Sequence, residues 1–124
     1  MGYIGVVSRG GQRARTLGFP TINIPLPDLS ISGSYAGSVM CEGETYPAVL
    51  YADPGRMVLE AHLLDFSSDL YGKTVAMTLA KKLREVTQFE NDAALVAAIQ
   101  RDILETKKFF EDSRGVSGTG ESVV

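Results

Sequence analysis

The sequence predicts a mainly β protein, an antiparallel sandwich or barrel that is followed by one long C-terminal helix. Two observations support this prediction. As far as Gln88, six short β-rich runs alternate with Gly, Pro and Asp, and beyond it apolar residues recur at helical spacing. A chain of 124 residues suits a single domain, which buries about two thirds of the surface of its unfolded chain.

The six predicted strands are short, and each is bounded by residues that favour turns. They cover residues 3–7, 22–24, 35–40, 48–51, 58–64 and 74–79. Because side chains alternate along a strand, Glu60 and His62 share one face of the fifth strand. The same face carries two apolar residues, Val58 and Leu64.

One long helix is predicted after Asn91, which is a suitable N-cap, with Asp92 favourably placed in the first turn. A lone amphipathic helix is expected to cover the side or one end of the barrel. The segment 113–124 is rich in Gly and Ser and has no periodicity, so we predict a domain over residues 1–112 and a disordered tail over 113–124. The apolar stripe of the helix comprises Leu95, Ile99, Ile103 and Phe110.

Composition excludes several classes of protein. Lys and Arg number 12 against 15 Asp and Glu, so the net charge of −3 gives no basic footprint for nucleic acid. One cysteine, Cys41, cannot form an internal disulfide. No apolar run approaches the ~20 residues of a membrane span, and residues 1–9 lack the features of a signal peptide. We therefore expect a cytoplasmic domain without nucleic-acid or membrane partners.

The glycine-rich segment 5–12 is a near miss to a phosphate-binding P-loop. It lacks the Lys and Ser or Thr that follow the second glycine of that motif, and no helix pattern follows, so a Walker A assignment fails. Its glycines and the arginines Arg9, Arg13 and Arg15 suit a basic flap over phosphates. The alternative is a solvated turn that carries three arginines.

Residues 17–24 are unusual for a strand, because Pro20 cannot donate to a ladder and Gly18 permits a close approach of the backbone. On an extended chain Thr21 and Asn23 face the same way. Two oxygen-bearing side chains on one face suit a Mg²⁺ ion beside the phosphates of a nucleotide. Alternatively, both side chains satisfy local backbone groups.

Glu60 is a candidate general base, because partial burial on an otherwise apolar face tunes the pKa of a carboxylate. The alternative is a cross-strand ion pair or a solvated face of the barrel. One His and one Cys cannot form a zinc site. Motifs of serine hydrolases and zinc proteases do not occur.

Taken together, these motifs resemble the riboflavin kinase family over about residues 3–109. The most specific stretch is Leu-Gly-Phe-Pro-Thr-Ile-Asn at 17–23, which is similar to the family's Gly-x-Pro-Thr-Ala-Asn. Each motif alone is weak, but the set occurs in the order typical of the family. The others are residues 33–37, 60–66 and 69–72, Leu83-Arg84 with Phe89, and residues 99–102.

This resemblance implies a six-stranded antiparallel barrel of the Greek-key, split type with one long C-terminal helix. It implies transfer of the γ-phosphate of ATP to the 5′-hydroxyl of riboflavin, with FMN and ADP as products, by a Mg²⁺-dependent enzyme. The closed barrel of the family implies a monomer. Glu60 is the implied catalytic base, and Thr21 and Asn23 the implied metal ligands. The implied nucleotide-binding residues are Gly10, Arg15, Gly18, Pro20, Thr21 and Asn23, and the implied substrate-binding residues are His62 and Arg84.

Three departures from the family pattern keep an alternative open. Tyr51 stands where the family has a small residue near the nucleotide base, the loop from Tyr51 to Glu60 is short, and Val86 stands where Glu is common. Tyr51 and the short loop favour a barrel of the same family that binds flavin without turnover or has a regulatory role. A barrel that binds single-stranded nucleic acid is disfavoured, because such grooves are basic and lined with aromatic residues.

Overall fold

The computed structural model of the chain describes residues 2–9, 15–66, 68–85 and 88–123, and from 113 onward it describes the backbone alone. These residues form seven strands and one long helix. The elements are β1 (Gly2–Val6), β2 (Ser8–Arg9), β3 (Ile22–Pro25), β4 (Gly33–Cys41), β5 (Glu44–Asp53), β6 (Val58–Leu63), β7 (Thr74–Arg84) and α1 (Asp92–Val123).

All strands belong to one antiparallel sheet with the order β1-β7-β4-β5-β6-β3-β2. Strands β4, β5 and β6 form a meander, and β7 returns to lie beside β4, which is the Greek-key arrangement. The prediction of an antiparallel Greek-key barrel with one C-terminal helix is confirmed. The structure adds a seventh strand, β2, whose two residues are too few to show a period in the sequence.

The N-terminal chain nearly closes the sheet into a barrel, because its two parts pair with opposite edges. β1 pairs with β7, and β2, after a single intervening residue, pairs with β3. That residue, Val7, is buried, and its backbone exchanges hydrogen bonds with the turn before β7 at Lys73 and Gly72. A β-carbon on Gly5 would lie 2.9 Å from Cβ of Ile24, so glycine permits β1 to approach β3 closely.

The barrel interior is filled by alternate side chains of the strands. On β6 these are Leu59, Ala61 and Leu63, so Glu60 and His62 point to the outer face, as the period-two pattern predicts. At Gly37, where the β4–β7 register shifts, a β-carbon would lie 2.1 Å from the carbonyl oxygen of Thr78. Only glycine fits this approach of two backbones.

Two strands, β5 and β7, extend furthest beyond their predicted ranges. β5 begins at Glu44 and includes Pro47, which pairs with Ser38 of β4. On its other side, β5 pairs with β6 only from Ala48 onward. Pro47 therefore lies where β5 lacks a β6 partner, so its missing N–H costs no ladder bond on that side. β7 continues through polar residues to Arg84 across two irregularities in register, which blur its alternation.

The helix α1 begins as predicted, since Oδ1 of Asn91 accepts a hydrogen bond of 2.9 Å from the backbone N–H of Ala94. It packs on the outer face of β4 and β5 and buries Ile99 there. Its backbone continues to Val123, so the helix includes residues 113–123, for which the sequence predicts disorder. Val124 lies outside the described residues, and the prediction of a disordered tail at 113–124 stays a prediction. No described helix is both long enough and apolar enough to cross a membrane.

Candidate active site

Glu60 is the centre of the candidate site. It lies on β6 between β3 and β5, and its side chain is only 11% exposed. Its Oε1 accepts a hydrogen bond of 3.0 Å from Oγ1 of Thr21, and its Oε2 accepts one from Nη2 of Arg56. A buried carboxylate is costly unless it is hydrogen-bonded and paired with a cation, and here each oxygen has such a partner.

Asn23 lies directly opposite Glu60 in the β3–β6 register. Its side chain is buried, and among the described residues its Oδ1 has no hydrogen-bond partner. Buried amide oxygens are rarely left in this state, so this one is a candidate ligand for a cation or a bound donor. The structure thus brings Thr21, Asn23 and Glu60 together, as predicted.

Arg56 belongs to the short turn between β5 and β6, and the sequence reasoning missed it. Its Nε donates to Oδ2 of Asp53 at 2.7 Å, while its Nη2 donates to Glu60. The hydrogen bond from Arg56 lowers the pKa of Asp53 below its usual value. The sequence does place a cation four residues before Glu60, but only the geometry of the turn shows that the two side chains meet.

His62 anchors the segment that carries Thr21. Its Nδ1 lies 2.8 Å from the carbonyl oxygen of Pro20, and its ring makes an edge contact with Phe19 at a centroid distance of 5.8 Å. Because a carbonyl oxygen only accepts, Nδ1 carries the proton of this hydrogen bond. The structure therefore places His62 beside Pro20 and Glu60.

A cavity of about 280 Å³ opens next to Thr21. Arg9 and Arg15 bring two positive charges to its wall, and the guanidinium of Arg9 lies 4.6 Å from the ring centre of Tyr71. Such a wall suits an anionic ligand. The lining residues are Arg9, Arg15, Pro20, Thr21, Ile22, Ala61, Leu63, Phe66, Ser68, Asp69 and Leu70.

Gly18 lies on the turn that leads into this cavity, with a φ of 96° that disfavours other residues. Its N–H donates to the carbonyl of Arg15 at 3.1 Å, and a β-carbon there would meet no described atom within 4 Å. The backbone is therefore open to a ligand at this point. Gly10, predicted to bind the nucleotide, lies outside the described residues, as do Arg13 of the predicted flap and Val86.

Arg84 lies on the same outer face but further along the sheet. Its Nε and Nη2 donate to the carboxylate of Asp102 on α1 at 2.8–3.1 Å, and its guanidinium lies 5.4 Å from the ring centre of Phe89. The structure thus joins Arg84 to the helix rather than to Glu60. Asp102, which is 1% exposed, belongs to the motif at 99–102, but the sequence did not predict its pairing with Arg84.

Tyr51 lies between these two groups, opposite Glu60 on one side and Ser34 on the other. Burial, then the nearby Asp102 carboxylate, raises the pKa of its hydroxyl, so Tyr51 stays neutral. Its hydroxyl oxygen is buried without a hydrogen bond to any described residue. Tyr51 is not among the described residues that line the cavity.

The fold and the site define a class: a small split β-barrel in which a buried carboxylate bonds to a hydroxyl that lines an arginine-bearing cavity, an arrangement suited to binding phosphate groups. A family model described as Flavokinase, riboflavin kinase, matches residues 2–110. The chain therefore belongs to the riboflavin kinase family, which confirms the resemblance found in the sequence.

Individual relatives agree with this family. The chain is 39% identical over 114 residues to the bifunctional riboflavin kinase/FMN adenylyltransferase of Mycoplasma pneumoniae, covering 88% of this chain and 42% of the relative. It is 39% identical over 116 residues to the protein of that description from Escherichia coli K12, covering 86% and 37%. The crystal structure of riboflavin kinase from Trypanosoma brucei matches with a TM-score of 0.63 and 26% identity, covering 89% of this chain and 79% of that one. The chain thus spans about two fifths of the length of the bifunctional relatives.

Proposed function

We propose that this chain transfers the γ-phosphate of ATP to the 5′-hydroxyl of riboflavin. The 5′-oxygen bonds to the γ-phosphorus as the bond from that phosphorus to the ADP oxygen breaks, and the hydroxyl proton passes to the base. The observation that carries this proposal is the hydrogen bond between Thr21 and Glu60, which joins the wall of the arginine-bearing cavity to a buried carboxylate. Family membership supplies the two substrates.

Glu60 is the proposed base. A carboxylate in this position accepts the hydroxyl proton during phosphoryl transfer, a reaction that depends mainly on positioning and charge stabilisation. The sequence also allowed Glu60 to be part of an ion pair instead of a base, and Glu60 does pair with Arg56. The two roles are compatible, because a carboxylate oxygen has two lone pairs.

The cavity beside Thr21 is the proposed nucleotide site. Arg9 and Arg15 supply positive charge for the phosphates, while Gly18 and Pro20 shape the backbone next to them. Its floor of Ile22, Ala61 and Leu63 is apolar and belongs to the barrel interior. Gly10 completes the proposed set from the family resemblance.

The residues present fit a divalent metal, which we propose to be Mg²⁺. Asn23 offers a buried amide oxygen with no described hydrogen-bond partner. The hydroxyl of Thr21 donates its hydrogen bond to Glu60, so the lone pairs of the Thr21 oxygen stay available to a metal. Mg²⁺ characteristically takes few protein ligands and completes its shell with phosphate oxygens and water. Its chemistry there is to neutralise charge on the transferring phosphate.

We propose that riboflavin binds beside Glu60 and contacts His62 and Arg84, as the family resemblance implies. His62 is the second residue after Glu60 on β6, and its Nδ1 bonds to the carbonyl of Pro20. Arg84, held by Asp102, shapes the surface where the helix meets the sheet. The proposed tail at 113–124 is not required for this site.

We also propose that the domain acts as a monomer in the cytoplasm. The pairing of the N-terminal chain with both sheet edges reduces the unpaired edge available for association. The one cysteine, Cys41, is free and buried, which suits a reducing compartment. Sedimentation equilibrium at micromolar concentration tests the monomer.

The test of the function is FMN formation. Purified chain is incubated with riboflavin and ATP, with and without MgCl₂, and flavins are resolved chromatographically. We expect FMN only with the metal. Folded chain that quenches riboflavin fluorescence but makes no FMN would establish the non-catalytic alternative instead.

A further inference from the structure

We propose that Arg56 is a positioning residue for Glu60: clamped by Asp53, its guanidinium holds the carboxylate in the orientation that receives the substrate proton. This inference rests on the proposed function. It concerns the short turn between β5 and β6, which in the sequence argued against activity.

The contacts of Arg56 form a two-pronged clamp. Nε donates to Oδ2 of Asp53 at 2.7 Å, the backbone N–H of Arg56 donates to Oδ1 of the same carboxylate at 3.2 Å, and Nη2 donates to Oε2 of Glu60. A planar guanidinium with two such anchors has little freedom to rotate. Arg56 therefore presents its Nη2 to Glu60 from a defined direction.

The backbone of the turn is tied down as well. The N–H of Met57 donates to the carbonyl of Pro54 at 3.2 Å, and the carbonyl of Met57 accepts from the N–H of Leu26 at 2.9 Å. The second bond joins the turn to the chain just after β3, the strand that carries Asn23. The position of Arg56 is thus set relative to the candidate metal ligand as well as to the base.

Glu60 is held by this clamp on one side and by Thr21 on the other. Oε1 accepts from Thr21 and Oε2 from Arg56, so the plane of the carboxylate is determined by groups from two different elements. Proton transfer is sensitive to such orientation, because a displacement of the reacting atoms by about 1 Å costs about a hundredfold in rate. Removing Arg56 takes away the hydrogen bond to Oε2 and keeps the one from Thr21 to Oε1 on the candidate nucleotide side.

A surface ion pair without a role in catalysis makes a different prediction. Arg56 is 55% exposed, and exposed pairs contribute little to stability. Its loss should then leave the reaction unchanged. Because Arg56 is exposed, a small cation from solvent can enter the space that a truncated side chain leaves, so the loss can be tested by chemical rescue.

The test compares Arg56→Ala and Arg56→Lys with the unmodified chain in steady-state FMN formation. We expect Arg56→Ala to lower kcat about tenfold or more, with KM for riboflavin and ATP within about twofold. Arg56→Lys should recover part of the loss, because Lys pairs with Glu60 but cannot clamp Asp53 at the same time. Added guanidinium at tens of millimolar, about 20–50 mM against matched NaCl, should raise the rate of Arg56→Ala alone.

Lys73→Ala is the matched control. It removes another exposed pair, in which Nζ of Lys73 lies 3.1 Å from Oε2 of Glu42, and should leave kcat unchanged. Asp53→Asn, which weakens the clamp but keeps Arg56, provides a second variant and should lower kcat by a smaller factor. Thermal unfolding of each variant establishes that it is folded.

An Arg56→Ala variant with unchanged kcat overturns the inference and leaves the proposed function intact. The inference is also overturned if Arg56→Ala raises KM instead of lowering kcat, and neither Arg56→Lys nor guanidinium restores activity. If the unmodified chain makes no FMN, the proposed function fails first, and this inference fails with it.

Discussion

At the scale of single residues, the site depends on how the oxygens of Glu60 are shared. Thr21 reaches Oε1 from the segment before β3, and Arg56 reaches Oε2 from the turn before β6. Thr21 also lines the cavity, so one hydroxyl contacts both the proposed base and the proposed nucleotide site. Its loss should therefore affect catalysis more than folding.

Thr21→Val keeps the shape of the side chain and removes the hydroxyl. We expect kcat for FMN formation to fall about a hundredfold, because the carboxylate loses an anchor and the metal loses a proposed ligand. Unfolding in urea should show a loss of about 1–3 kcal/mol, the cost of a buried acceptor left without a partner. Thr21→Ser is the control and should retain most activity; equal losses in both variants would contradict the role of the hydroxyl.

A second residue-scale effect lies away from the site, at Asp28. Its carboxylate accepts hydrogen bonds from the side chain and backbone of Ser30 and from the hydroxyl of Tyr3, and these bonds lower the pKa of Asp28. A group whose pKa is lowered by folding stabilises the folded chain above its ordinary pKa, about 3.9, and this contribution is lost as the pH falls.

We therefore expect Asp28→Asn to be less stable than the unmodified chain at pH 7, and the difference to shrink as the pH falls below about 3.9. Urea midpoints measured at neutral and at successively lower pH test this. A difference that stays constant from neutral to acid pH would show that ionisation of Asp28 contributes nothing.

The sequence was informative about the residues that share a strand face or a known motif, and silent about those that meet across a turn. Period two put Glu60 on the outer face of β6, and the family motif linked it to Thr21 and Asn23. Arg56 and Asp53 meet Glu60 only because the turn is tight, and no periodicity encodes a turn's geometry.

At the scale of elements, the helix is attached to the sheet by an ion pair as well as by apolar contact. Asp102 is almost completely buried on the face of α1 that also buries Ile99, and it meets Arg84 at the end of β7. Thr106, one turn further, is buried too. The predicted apolar stripe thus identifies the buried face of α1 but omits Asp102, since the sequence cannot show that a charge on this face meets a partner on a strand.

Asp102→Asn should destabilise the chain by about 3 kcal/mol, the lower end of the range for a broken buried pair, because Arg84 is 25% exposed and solvent compensates in part. Urea unfolding measures the effect. Glu105→Gln, on an exposed position of the same helix, is the control and should change little. Equal stability of both variants would show that the pair does not hold α1 to the sheet.

At the scale of the whole molecule, a single bent chain segment nearly closes the barrel. The change of partner between β1 and β2 occurs at Val7, where the backbone bonds to the turn before β7. Sequence patterns predict the strand before this point, but neither β2 nor the change of partner, because pairing is a property of the folded sheet. The predicted domain boundary at residue 112 also belongs to this scale.

Removal of residues 113–124 tests that boundary. Three glycines, Gly115, Gly118 and Gly120, each disfavour a helix by about 1 kcal/mol relative to Ala, so this segment contributes little of its own. We expect the shortened chain to unfold within about 0.5 kcal/mol of the full chain and to form FMN at the same rate. A clear loss of either would place the segment inside the domain.

The central claim, that Glu60 serves the transfer of phosphate from ATP to riboflavin, is tested most directly with ATP labelled on its γ-phosphate. In a single turnover with excess enzyme and Mg²⁺, the unmodified chain should transfer the label to FMN. Glu60→Gln should bind riboflavin with unchanged affinity and transfer label at least about a hundredfold more slowly. Label that reaches FMN at the same rate in both proteins, or does not reach it in either, would contradict the account.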